Sequence, residues 1–334
     1  MERTVVAIDC MGGDNAPLEI VKGAAAALSK SDAVEVILLG DEGKISESLS
    51  SCSYDKERLE VVHTTEVIET AEPPVKAINH KKDSSMVRGL SLVKEGKAHA
   101  FVSAGNSGAL LVGGQAIVGR LPGVKRAPFA AVIPTEKGTS LLVDSGANVD
   151  VRPEMLVSFA KMGSAYMRGV MDIKAPTVGI VNIGAEEEKG NALVKETFPL
   201  LKTESSINFI GSVEARDIAG GACDVIVCDA FVGNVVLKMY EGVAKAMLSA
   251  LKKGFKSSFK SKLGAALALP SLKKTLKNYD VTRYGGAPLL GINGLVVKTH
   301  GSAKAVEVTN TVLQCVTFRE NDVKDLLTEV LKEV

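Results

Sequence analysis

Several loops of this chain gather glycine, asparagine, serine and aspartate directly after apolar runs. Ala98–Ser103 runs into Ala104-Gly-Asn-Ser-Gly-Ala109, and Thr139–Val143 into Asp144-Ser-Gly-Ala-Asn-Val-Asp150. Pro176–Val181 leads into the stretch Asn182–Asn191, and Asp224–Cys228 into Asp229–Lys238. Glycine lets a backbone approach a ligand closely, and a helix start presents free N–H groups to it. The same loops carry Asn106, Asn148, Asn182, Asn191 and Asn234, with Lys189, Arg216 and Lys238 at their edges. Such a set binds and orients an oxyanion, phosphate above all, without attacking it. Each lysine taken alone is more often a solvated surface charge, so the inference rests on their shared position after apolar runs.

Other chemistries have less support. There is no G-x-S-x-G elbow, so Ser103, Ser107 and Ser145 read as hydrogen-bond donors in glycine-rich loops rather than covalent nucleophiles. The turn Asp9-Cys-Met-Gly-Gly-Asp14 follows an apolar run as a nucleotide-binding turn would, but it lacks G-x-G-x-x-G, and no Walker A sequence occurs. Asp9, Asp14, Asp144 and Asp150 suit a divalent cation in type. Capping of helices and acceptance from loop amides explains them better, so no metal site is assigned. The histidines His63, His80, His99 and His300 share no metal-ligand spacing. His300 stands apart, between an apolar run and Gly301-Ser302, where it is a candidate for proton transfer.

Bulk properties narrow the class further. At 334 residues, 46% hydrophobic and 24% charged with a net charge of +1, this is a globular chain with a substantial core. Near-neutral charge, no tryptophan and few aromatics argue against a nucleic-acid partner. Cys10, Cys52, Cys223, Cys228 and Cys315 form no C-x-x-C pair, which points to reduced thiols in a cytosol. The N-terminal run Thr4–Ile8 is too short for a signal peptide, and the apolar stretch Ser107–Gly119 too short for a membrane span.

The elements that must position these loops follow from hydrophobic periodicity. Short runs rich in Val and Ile predict strands at Thr4–Ile8, Val34–Leu39, Leu59–Val62, Ala98–Ser103, Phe129–Ile133, Thr139–Val143, Thr177–Val181, Ile207–Ile210, Asp224–Cys228 and Leu295–Lys298. Between them lie helical patterns at Ala16–Lys30, Ser84–Glu95, Ser107–Gly119, Pro153–Arg168, Asn191–Thr203 and Val235–Lys253. Apolar strands alternating with helices imply an α/β fold with a largely parallel sheet covered on both faces. The runs at 129–133 and 139–143, split by Thr135-Glu-Lys-Gly138, read as a hairpin that adds an antiparallel portion. Pro17 and Pro153 mark first turns of helices, and Asn191 and Asn234 read as helix caps. With no repeat or long linker, residues 1–334 are expected to form one domain of two lobes around a cleft.

One segment carries no loop chemistry. From Gly242 to Tyr279 there is no Asp or Glu, while Lys245, Lys252, Lys253, Lys256, Lys260, Lys262, Lys273, Lys274 and Lys277 all fall within it. Leu251, Phe255, Phe259, Leu263 and Leu267 recur every four residues. Residues 251–277 therefore read as a basic amphipathic segment that lies on an anionic membrane, docks an acidic partner, or packs on the core or a second subunit.

The ordered set Asp9-x-Met-Gly-Gly-Asp14, Ser103-Ala-Gly-Asn-Ser-Gly-Ala109, Asp144-x-Gly-Ala-Asn-x-Asp150 and Asn182-Ile-Gly-x-Glu186 with Lys189-Gly-Asn191 resembles the bacterial phosphate acyltransferase family. So do Gly211-x-Val-Glu-Ala-Arg-Asp217, Gly233-Asn-Val-Val-Leu-Lys238, Tyr284-Gly-Gly-Ala287 and His300-Gly-Ser302. These are the acyl-(acyl-carrier-protein):phosphate acyltransferases of phospholipid synthesis. The motifs span essentially the whole chain. Ser107 stands where many relatives have Thr; both supply a hydroxyl.

The resemblance implies a three-layer α/β/α fold related to phosphotransacetylase and to the isocitrate and isopropylmalate dehydrogenases. It also implies a homodimer, no cofactor, and a cytoplasmic protein peripherally associated with the membrane. The implied reaction joins an acyl group from acyl-carrier protein to inorganic phosphate. On that reading Lys189, Asn191, Asn234, Lys238 and the loop Ser103, Gly105, Asn106, Ser107, Gly108 bind phosphate or the oxyanion, with Asn182, Arg216 and Gly233 in the same set. Asp144 and Asn148 orient these groups, and His300, then Lys238, is the candidate proton donor to the leaving sulfur. Phe255, Phe259, Leu263, Leu267, Lys256 and Lys260 are the expected contacts with membrane or carrier protein. A short-chain acyl-coenzyme A phosphotransacetylase, and a non-enzymatic scaffold, are the competing readings.

Overall fold

The computed structural model describes residues 2–276 and 279–332. Its strands form two sheets. The first has the order β10-β11-β4-β1-β2-β3, built from β1 (Thr4–Asp9), β2 (Val34–Gly40), β3 (Leu59–His63), β4 (Ala100–Ser103), β10 (Ala287–Pro288) and β11 (Leu295–Lys298). The second has the order β5-β6-β9-β7-β8, built from β5 (Ala130–Thr135), β6 (Gly138–Val143), β7 (Thr177–Asn182), β8 (Asn208–Glu214) and β9 (Val225–Val227). Each is parallel except at one edge, where β10 runs against β11 and β5 against β6. The hairpin expected from Thr135-Glu-Lys-Gly138 is the β5–β6 pair. The single sheet of the sequence reading is thus two, meeting at their antiparallel edges through a bridge between Phe129 and Leu289.

Burial on both faces is visible residue by residue. Along β1, Val6 and Ile8 enter one apolar cluster and Ala7 the other; Val36 and Leu38 alternate likewise with Ile37 and Leu39 on β2. This is the period of two that a strand imposes on a near-continuous apolar run. The cluster holding Val6 and Ile8 also takes Leu141 and Val143 of β6, Val178 and Ile180 of β7, and Val225 and Val227 of β9. One core therefore ties both sheets, and α1 (Leu18–Lys30), α6 (Pro153–Met171) and α10 (Ala305–Glu320) supply its helical layer. The result is a three-layer α/β/α arrangement with parallel-dominated sheets.

Helix starts follow local chemistry. Pro153 opens α6, and the Asn191 side chain accepts from Val194 N–H at 2.9 Å to cap α7 (Ala192–Thr203). Most boundaries shift by a few residues, and Pro17 precedes α1 rather than lying in its first turn; two boundaries differ more. The stretch Ser107–Gly119 is helical only as α5 (Ser107–Gly113), followed by one wide π turn at Gly114–Val118. The helix expected at Val235 begins earlier, as α8 (Ala230–Lys256), because Asp229 accepts from Val232 N–H at 3.0 Å. Asn234 therefore lies inside α8 and does not cap it. The remaining helices are α2 (Glu42–Leu49), α3 (Pro74–His80), α4 (Ser85–Lys94), α9 (Phe259–Leu276) and α11 (Val323–Lys332).

The lysine-rich segment is not one helix. It breaks at Ser257-Ser258 between α8 and α9, and α9 buries no residue. Phe259 is 82% exposed and Leu267 79%, while Phe255 is half-buried. The apolar face continues back along α8 through Phe231, Val235, Met239, Val243 and Met247. Lys277 lies outside the described residues.

Candidate active site

A cleft of about 510 Å³ opens where the two sheets meet. The loop after β4 contributes Ala104, Gly105 and Ser107; β5 and the loop after β6 contribute Ala131, Ser145 and Gly146. Asn234, Lys238 and Glu241 reach it from α8, and Lys298, Thr299 and His300 from the end of β11. Tyr284, Gly285 and Gly286 line it too, held by Gln314, whose Oε1 accepts from Gly286 N–H at 2.9 Å.

Two buried aspartates build the loops. Asp9 Oδ1 accepts from Met11 N–H and Gly12 N–H, both at 3.1 Å, and from Ser85 Oγ at 2.6 Å. Asp9 Oδ2 accepts from Ser103 Oγ at 2.7 Å, and Gly105 N–H donates back to that serine at 3.0 Å. The loops after β1 and β4 are thereby fastened together. A Cβ on Gly12 would lie 2.7 Å from Gly105 N, so only glycine allows this approach.

Asp144 plays the equivalent part in the second sheet. Its oxygens accept from the N–H groups of Phe129, Gly146, Ala147 and Asn148, and from Asn148 Nδ2 at 2.7 Å. Burial raises its carboxyl above the usual range, and the amides of Ala147, Gly146 and Asn148 pull it back. Asn148 also donates to the Ala127 carbonyl. Asp144 and Asn148 shape the loop and do not line the cleft.

Of the expected ligand residues, Gly105, Ser107, Asn234, Lys238 and His300 come together in the cleft. Ser103, Asn106, Gly108 and Gly233 stand behind them as scaffold. Asn106 donates to the carbonyls of Glu69, Thr70 and Glu72 and caps α5 through Ala109 N–H. Lys189, Asn182, Asn191 and Arg216, expected in the same set, do not line the cleft. They follow β7 and β8, which sit beyond β9 at the far side of the second sheet. Lys189 pairs with Glu186 at 2.8 Å and Arg216 with Glu214 at 3.0 Å, both on the exterior. Asn182 donates to the Lys189 carbonyl and to Ser212 Oγ.

His300 lies across from α8, with Nε2 3.9 Å from Glu241 Oε2. Its Nδ1 accepts from Ser302 N–H at 3.2 Å, so the neutral ring carries its proton on Nε2. The sequence reading assigned no role to Lys298. Its position was the signal: Lys298 is the last residue of β11, two before His300, and both line the cleft. Burial pushes the Lys298 ammonium down to about 8, against the pull of Asp9 and Asp14.

Comparison with known proteins decides the family. Residues 4–326 match the model of a family described as "Fatty acid synthesis protein". A phosphate acyltransferase of Clostridium perfringens is 49% identical over 324 residues, covering 97% of this chain and 96% of that one. The chain belongs to the phosphate acyltransferase family. A second phosphate acyltransferase, from Clostridium acetobutylicum, is 44% identical over 330 residues and covers 99% of both chains. In fold, the chain is similar to the EutD phosphotransacetylase of Staphylococcus aureus, with TM-score 0.58 and 19% identity over 96% of this chain and 94% of that one. A phosphotransacetylase of Streptococcus pyogenes gives TM-score 0.59 and 17% identity over 94% and 93%. The three-layer fold expected from the sequence is the fold these structures share.

Proposed function

We propose that the chain transfers a long-chain fatty acyl group from acyl-carrier protein to inorganic phosphate, releasing acyl phosphate and free carrier protein. A phosphate oxygen attacks the thioester carbonyl carbon and forms the new C–O bond. The resulting oxyanion collapses and the C–S bond breaks, with its electron pair leaving on sulfur. In its protonated form His300 gives its Nε2 proton to that sulfur, with Lys238 second, and the proton that hydrogenphosphate sheds on acylation returns to the ring. Asn234 and Lys238, one helical turn apart on α8, face the developing oxyanion. The observation that carries this reading is the convergence of Lys238, Asn234 and His300 with the Gly105 loop in one cleft. Phosphate is the nucleophile, so the protein has to supply position and charge rather than an attacking side chain.

The delivery of substrate belongs to the same proposal. The exposed apolar face of α8 and α9, edged by Lys252, Lys253, Lys256, Lys260 and Lys262, suits an anionic membrane surface or an acidic carrier protein. Among the described residues no helix is long and apolar enough to cross a membrane, so attachment through this face is peripheral. A homodimer that leaves α9 free is part of the reading. Incubation of the purified chain with phosphate and either palmitoyl-carrier protein or acetyl-coenzyme A tests it. Acyl phosphate from the first donor is expected. Product from the second alone would make the chain a phosphotransacetylase, and none from either a scaffold.

A further inference from the structure

Lys298 ends β11, Thr299 follows it, and both line the cleft. The Lys298 Nζ donates to the Ala104 carbonyl at 3.1 Å and to the Thr299 carbonyl. An ammonium has three donors, and these two carbonyls fill two of them. Asp9, its buried carboxylate neighbour, already accepts from Met11, Gly12, Ser85 and Ser103, so it is engaged elsewhere. Asp14 is the other carboxylate acting on the ammonium; it lies exposed at the cleft. Thr299 is 2% exposed, and its Oγ1 is buried without a hydrogen-bond partner. A buried hydroxyl is normally satisfied, and an orphan at a cleft wall marks a place for a ligand atom. Lys298 therefore has one donor left and Thr299 its whole hydroxyl, at adjacent positions of the first-sheet wall.

We propose that Lys298 and Thr299 seat the reacting phosphate: the third Nζ–H and the Oγ1–H donate to its oxygens, on the wall opposite Asn234 and Lys238. The proposal rests on the reading that inorganic phosphate is the nucleophile. It divides the cleft, with phosphate held by the end of β11 and the thioester carbonyl turned toward α8. A half-buried ammonium flanked by neutral carbonyls is poorly solvated, and a dianion repairs that loss more strongly than a neutral acyl chain can. The shift of its titration toward about 8 has the same physical origin, burial that the pull of Asp9 and Asp14 does not offset. Lys189 and Arg216, the cations expected for this task, have surface carboxylate partners instead.

The test is steady-state kinetics of the full chain with palmitoyl-carrier protein, phosphate varied, on wild type, Lys298→Gln, Thr299→Val and Thr299→Ser. Lys298→Gln is expected to raise the KM for phosphate about ten-fold or more, and Thr299→Val about five-fold. The KM for the acyl donor should stay within about two-fold, and Thr299→Ser should restore wild-type behaviour. A phosphate KM unchanged in both variants, or both KM values rising together, overturns the seat. Thr299→Val keeps shape and serves if Lys298→Gln fails to fold. Should wild type make no acyl phosphate, the functional reading fails separately. Calorimetry with inorganic phosphate then decides: binding lost in Thr299→Val upholds the seat, and no binding to wild type overturns it.

Discussion

Gly233 packs against the carbonyl of Asp144 so closely that a Cβ would lie 1.8 Å from that oxygen. The first turn of α8 is thereby seated on the loop after β6, which Asp144 itself organises. Asn234 and Lys238 reach the cleft from the next two turns, so their positions follow from where this contact seats the helix. Gly233→Ala must push the helix off the loop. A loss of about 1–3 kcal/mol in stability is expected, the range for overpacking. Acyl phosphate formation should fall further than the stability loss explains, because the helix carries two cleft residues. Thermal melting beside an activity assay checks this; a melt and a rate both like wild type would break the link.

Lys238 and Lys189 looked equivalent in sequence, and the fold separates them. Lys238 lines the cleft, whereas Lys189 pairs with Glu186 on the exterior. Lys238→Ala should cut kcat about 100-fold or more, as loss of a charged donor at a developing oxyanion does. Lys189→Ala should stay within about three-fold, since exposed ion pairs contribute little. Rates measured at saturating phosphate distinguish the two. A larger loss at Lys189 would return the loop after β7 to the reaction.

The contrast shows what the sequence could and could not convey. Alternating strands and helices, the β5–β6 hairpin and the first turn at Pro153 were all legible, because period and turn chemistry are local. That the sheet is two sheets was not, since strand order is a long-range property. The glycine-rich loops announced themselves, but Gly12 and Gly233 serve backbone-to-backbone packing as well as any ligand. The asparagines were ambiguous for the same reason. Asn106 and Asn191 cap helices and Asn182 braces a loop, while Asn234 reaches the cleft. Lys298 was missed because a lysine ending a strand looks like an ordinary edge charge until burial is known.

Lys298 also predicts opposite responses of binding and stability to pH. Its folded value of about 8 lies below the 10.5 of an unconstrained lysine. Between those values the unfolded chain holds the proton and the folded one has lost it. The unfolded state binds more protons there, so this group makes stability rise with pH across that window. The charged groups acting on it are Asp9 and Asp14, which oppose the shift, and His300 follows it on the same strand end. Phosphate binding should weaken over the same range, because the seat loses its charge. Chemical denaturation of wild type and Lys298→Met between pH 7.5 and 10 checks the first part, with the variant expected to lack about half or more of the slope. Phosphate KM across the same range checks the second. A wild-type KM flat through pH 9 would mean that the ammonium is not the seat.

The apolar face of α8 and α9 yields the last prediction. Phe259, Leu263 and Leu267 are all exposed on α9, flanked by Lys260 and Lys262. Burying one such side chain is worth about 1.5–3 kcal/mol, and each lysine near an anionic bilayer adds about 1 kcal/mol. Three apolar contacts therefore dominate, with the lysines supplying a salt-sensitive remainder. Replacing Phe259, Leu263 and Leu267 together by Ser should abolish sedimentation with phosphatidylglycerol vesicles, while activity on soluble palmitoyl-carrier protein survives. Raising salt with wild type should weaken sedimentation without abolishing it, because the apolar part is unscreened. Vesicle binding that persists in the triple variant while its mass in solution falls by half would place a second copy of the chain on this face. Loss of activity on the soluble donor, with vesicle binding kept, would assign it to the carrier protein. The membrane is the expected occupant, since α9 packs against little but α8 and leaves every one of its residues at least partly open to solvent.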